Sequence, residues 1–158
     1  MTDPAQAWLA EALATRDLER VQANMPASGA RIGEARKHVR SAHFLAGDDP
    51  ALAIAACHDA IRKAVTAHML AAGLRPRGGE GAHRIVLAYA RHVLGNVVAA
   101  DDLKEAEGIR RDRALAEYGD YPSGQFSADH VNAAADVGER IINAVASELV
   151  RRGRSRRS

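Results

Sequence analysis

The sequence predicts an all-α domain, a bundle of four to five core helices preceded by an N-terminal helix. Three observations carry this. Apolar residues recur at helical spacing through most of the chain, and no segment alternates with period two. The hydrophobic set is dominated by alanine, with aromatics only 4%; small side chains suit closely packed helices, whereas strands favour aromatic and β-branched residues. Finally, Gly47-Asp48-Asp49-Pro50 is too short a connection for anything but an antiparallel helix hairpin.

Asp3-Pro4 starts the first helix, with proline at its first position. Trp8, Leu9, Leu13, Leu18 and Val21 extend it to about Ala23, and Met25-Pro26-Ala27-Ser28-Gly29 breaks it. Residues 1–27 are therefore an N-terminal helical arm, packed or appended. Ile32, Ala35, Val39, Ala42 and Leu45 mark a helix over Ala30–Ala46. Asp49 caps the next helix and Pro50 opens it; that helix runs to Ala72, with Ile54, Cys57, Ile61, Ala64 or Val65, and His68 inward. Gly73 supplies a left-handed stop and Leu74 the apolar contact beyond it.

Arg75 to Gly81 is a glycine-rich loop, but no strand precedes it and no Gly-Lys-Ser/Thr follows, so a phosphate loop is not expected. Helices are predicted over Ala82–Leu94 and Asp101–Tyr118. After the Gly119–Gly124 loop, Ser127 caps a last helix to Val150, with Phe126 and Val131 as a hydrophobic staple. Gly138 on its inner face allows a close crossing. Residues 28–150 form the domain and 151–158 a frayed basic tail. The tail holds five of the 22 basic residues, so the body carries 17 against 20 acidic ones. The basic isoelectric point belongs to the tail.

Cys57 is the only cysteine, which excludes an internal disulfide or a thiolate cluster. The first segment carries Asp3, Glu11 and Arg16 and lacks an apolar run, and no stretch is long enough to span a membrane. A cytoplasmic location without membrane contact is expected. No histidine pair shows metal-ligand spacing along the sequence, so no metal or cofactor is expected. His83, at a helix start after the glycine loop, is the histidine best placed for a site.

The chemistry concentrates in Ile109–Tyr118. At 100° per residue Arg113 falls among Ala106, Ile109 and Ala116, inside the apolar stripe. A guanidinium there snorkels, pairs or binds an anion, because an unpaired buried charge costs several kcal/mol. Arg111, Leu115 and Tyr118 share a second face. Arg113 and Glu117 are equally readable as an exposed i, i+4 ion pair.

In order along the chain, four stretches resemble the HEPN superfamily of small helical domains. These are the hairpin Ala30–Leu74 with Arg62-Lys63-Ala64; Gly78-Gly79-Glu80-Gly81-Ala82-His83 entering a helix; Arg110-Arg111-Asp112-Arg113 followed by Glu117-Tyr118; and Ser127-Ala128-Asp129. The resemblance is to an actinobacterial branch whose arginine motif ends in Glu-Tyr. It implies a HEPN-like bundle and a homodimer whose two arginine motifs face one another. It places Arg111 in the arginine position of the nuclease motif, Asp112 in the polar position and Tyr118 at the toxin-type tyrosine. Arg110, Arg113, Glu117 and His83 would then be binding residues. Ala116 stands in the histidine position. Metal-free RNA cleavage needs a group that takes and gives protons near neutrality; arginine cannot, and alanine has none.

The function expected is a catalytically degenerate, dimeric module that binds RNA, another nucleic acid, a nucleotide or a cognate protein partner. The alternatives are a metal-independent endoribonuclease of the toxin type and a purely structural interaction domain.

Overall fold

The computed structural model describes residues 2–78, 82–119, 121–122 and 124–157. Among them are six helices: α1 Pro4–Ala14, α2 Met25–Leu45, α3 Pro50–Ala71, α4 Ala82–Val93, α5 Ala100–Tyr118 and α6 Ala128–Arg156. Two three-residue strands, β1 Leu18–Arg20 and β2 Leu74–Pro76, pair antiparallel. The fold is all-α with this one small ribbon.

α3 is the centre. It packs on α2, α4, α5 and α6 and is buried on nearly every side, through Ile54, Cys57, His58, Ile61, Val65, His68 and Met69. The hairpin with α2 is antiparallel. Ser28 Oγ donates to the Ala67 carbonyl at 2.7 Å, Arg31 reaches Thr66, and Lys63 Nζ meets Glu34 at 2.8 Å, so the partners run in opposite senses. The Asp49 carboxylate caps Leu52 N at 3.2 Å, as the sequence predicts. Ser127 Oγ caps His130 N at 3.1 Å, and Phe126 and Val131 are both buried beside it.

Four expectations are corrected or narrowed. The first helix ends at Ala14, not near Ala23. Arg16 takes a left-handed φ of 65°, its N–H donating to Leu13 O and that of Asp17 to Ala12 O. This double bond is the Schellman stop, here built on arginine where glycine is usual, so its sequence carries no signal. The chain then enters β1, and Glu19 pairs with Arg75 across the ribbon.

Second, Met25–Gly29 is no break. Asn24 Oδ1 accepts from Ala27 N at 2.9 Å and Pro26 lies in the first turn of α2, where its missing N–H costs nothing. Third, of the two alternatives for the N-terminal arm, packed or appended, the packed one is observed. Trp8 stacks on His92 with ring centroids 5.0 Å apart and meets Tyr89 edge-on at 6.3 Å, while β1 pairs with β2. Fourth, Arg151–Arg156 is not frayed but continues α6, with Arg151 held by Glu148 at 2.6 and 2.9 Å.

Gly73 matches its expected role: φ is +75°, and a Cβ would come within 2.9 Å of the Val21 carbonyl oxygen. Gly138 does not need to be glycine. A Cβ there would meet Val39 at 3.5 Å, an ordinary contact. Among the described residues no helix is long and apolar enough to cross a membrane.

Candidate functional site

The three arginines of α5 diverge. Successive residues rotate by 100°, so positions 110, 111 and 113 face three directions. Arg110 pairs with Glu107 at 3.0 Å and lines a cleft with Asp17, Arg84 and Arg91. Arg111 and Asp112 face α6, in a cleft of about 580 Å³ floored by Ile109, Ala134 and Val137. There the Asp112 carboxylate meets His130 Nε2 at 2.8 Å. Tyr118 is 82% exposed at the end of α5 and joins neither cleft. The implied catalytic set Arg111, Asp112 and Tyr118 is therefore not gathered into one site within the protomer.

Arg113 takes the third direction, and there a cluster forms. The apolar stripe is as expected: Ala106 and Ile109 are buried, and the Arg113 side chain is 31% exposed. Arg113 Nη1 donates to Glu117 Oε2 at 2.8 Å, which satisfies one edge of the guanidinium. Its charge reaches His58 of α3 and His83 of α4. The two imidazoles are joined by a hydrogen bond of 2.8 Å between His58 Nε2 and His83 Nδ1, their rings stacked with centroids 5.0 Å apart. Arg62, one turn beyond His58, pairs with Asp59 at 3.4 Å and adds a second positive charge. The glycine-loop residues Gly79, Glu80 and Gly81, which precede His83, lie outside the described residues, as do Asp120 and Ser123 of the second loop.

Both histidines are neutral at physiological pH. Burial pushes His58 down to about 4, with His83 and Arg113 adding to the effect. His83 is lowered first by partial burial and then by Arg113 and Arg62, against the opposing pull of Asp59 and Glu117. Two neutral rings share one proton in the bond between them, and His58 Nδ1 decides which ring supplies it. That atom is buried and has no hydrogen-bond partner among the described residues. If His83 donated, His58 Nδ1 would carry a buried N–H with no acceptor. If His58 Nε2 donates, Nδ1 is a bare lone pair, the less costly orphan. The second arrangement fixes the tautomer of His83: Nδ1 accepts and Nε2 carries the hydrogen.

The cluster therefore offers one neutral N–H donor, from His83, beside two guanidinium groups. Donors and charges of this kind suit an oxyanion chemically. The cluster holds no free imidazole lone pair on His83 to take a proton.

Sequence reasoning brings together Arg113, Glu117 and His83 but misses His58, Asp59 and Arg62. Along the sequence His58 reads as merely solvated or packed. The apolar stripe of α3 predicts a single buried face, yet four helices surround α3 and bury Cys57 and His58 alike. The one available signal is the i, i+4 spacing of His58 and Arg62.

No known protein family, curated protein or solved structure matches the chain.

Proposed function

We propose that the chain is a HEPN-like, catalytically degenerate module that acts as a homodimer and binds the phosphate groups of RNA or a nucleotide without cleaving them. The observation that carries the reading is the His58–His83 pair beside Arg113. Arg113 and Arg62 supply charge, His83 Nε2–H supplies a directed donor, and His58 locks the ring that presents it. Hydrogen bonds to charged groups contribute about 1.5–3 kcal/mol each, so removing one such bond weakens binding by about tenfold or more. Ala116 leaves the histidine position of the motif without a proton carrier.

A second reading needs the opposite tautomer of the same pair. With the opposite tautomer, His83 Nε2 becomes a free base next to an arginine, which suits metal-independent RNA cleavage.

The test uses a short single-stranded RNA with chelator present. The wild type is expected to retain RNA and leave it intact, and His83→Ala and Arg113→Ala to weaken retention about tenfold. Unchanged affinity in both variants overturns the site. Wild-type cleavage that is lost in His83→Ala establishes the second reading instead.

A further inference from the structure

At the exposed edge of the α2–α6 contact, away from the histidine pair, three metal-capable side chains meet. His43 comes from the last turn of α2, Asp136 and Glu139 from α6. One donor atom of each lies within 4.8 Å of the other two. Asn132, Asp136 and Glu139 recur at i, i+4 and i+7 on one face of α6.

The orientation of His43 is fixed. Its Nδ1 lies 2.8 Å from Asn132 Oδ1, and an amide oxygen only accepts, so Nδ1 carries the hydrogen. The Nε2 of the neutral ring is then a lone pair, and it faces Asp136 Oδ1 at 3.5 Å. Two acceptors opposed across such a gap call for positive charge between them. A tetrahedral zinc, about 2.0–2.1 Å from each donor, holds neighbouring donors about 3.4 Å apart. The observed gap fits the metal. Arg140, one turn along the same helix, is hydrogen-bonded to Asp102 at 3.0 and 3.1 Å, and acts on Asp136 only through its charge.

We propose that His43, Asp136 and Glu139 bind a divalent transition-metal ion of the Zn²⁺ type, with water as the fourth ligand and Asn132 orienting the imidazole. One nitrogen with two carboxylates on rigid helices suits Zn²⁺ and its neighbours better than Ca²⁺ or Mg²⁺, which take oxygen ligands in larger number or octahedral order. The ion ties α2 to α6 and stabilises the fold by mass action, independently of the phosphate site. Spacing along the sequence hides the site, because 89 residues separate His43 from Asn132.

The experiment titrates Zn²⁺ into the chelator-treated full chain by calorimetry and follows Tm. His43→Gln and Glu139→Gln lie at the surface and leave the core intact. The wild type is expected to bind a single ion saturably and to gain Tm as Zn²⁺ rises. His43→Gln abolishes both effects, and Glu139→Gln weakens binding at least about tenfold, the lower end of what losing even an orienting partner costs. No saturable binding by the wild type, or equal binding by His43→Gln, overturns the proposal.

Discussion

At the scale of single residues, the governing fact is that His58 and His68 are buried as neutral rings. Each is pushed down to about 4, chiefly by burial, whereas an unfolded histidine titrates near 6.5. Between these values the unfolded chain binds more protons than the folded one, so stability rises with pH across the window and falls on acidification from about 6.5 towards 4. Full passage removes on the order of 3 kcal/mol per histidine. Urea unfolding between pH 4 and 7 is expected to show this slope, and His68→Gln to flatten part of it; a flat wild-type profile contradicts the burial. Ala116 sits one turn beyond Arg113, partly buried against the core. Ala116→His adds a proton carrier beside the arginine proposed to take phosphate, and is expected to yield metal-free cleavage with 2′,3′-cyclic phosphate ends. A general acid or base contributes about 10²–10⁴-fold. Arg113→Ala in that background is expected to remove the activity; its survival would break the link to this cluster. Arg113 is legible in the sequence because a charge in an apolar stripe is anomalous. His58 is not, because one histidine among alanines looks the same whether it packs or pairs.

At the scale of elements, what the sequence reveals depends on how each helix ends. Asp49-Pro50, Gly73 and Ser127 use residues favoured at those positions, and the corresponding boundaries hold to within a residue. Arg16 performs the same task against its own preference, and a left-handed L-residue costs about 1–2 kcal/mol. Arg16→Gly is therefore expected to stabilise by up to about 1 kcal/mol, after allowing for the greater backbone entropy of glycine. Gly138→Ala is expected to gain a similar amount, since a helix interior favours alanine and the added methyl meets only ordinary contacts. Denaturant midpoints check both, and a decrease in either contradicts the local geometry. The β1–β2 ribbon is invisible in the sequence because three residues per strand are too few for a period-two pattern. The arginine end of α6 resembles a frayed tail because charge alone does not report helicity. As an ordered helix end it turns Arg154 and Arg157 to one side and Arg151, Arg152 and Arg156 to another. Deleting residues 151–158 is expected to lower the log–log salt slope of RNA binding by about 0.7 for each phosphate that is no longer neutralised. An unchanged slope means that these arginines only complement the helix dipole.

At the scale of the whole molecule, α3 brings the ends of α4 and α5 together and so makes one site from residues that are far apart in sequence. The N-terminal segment stands behind it: Trp8 packs on Tyr89, and Tyr89 OH meets His68 Nδ1 at 2.8 Å. The homodimer follows from the proposed family reading, and light scattering that gives a monomer at tens of micromolar would contradict it. The proposed phosphate site depends on His83 presenting a hydrogen and not a lone pair. Nitrogen NMR of the imidazole rings reads this directly, with and without a nucleotide. Expected are protonated Nε2 on both His58 and His83, bare Nδ1 on both, and a shift confined to the His83 ring and its neighbours when phosphate binds. A protonated Nδ1 on His83 with a bare Nε2, or no response to nucleotide at either ring, would contradict the proposed site.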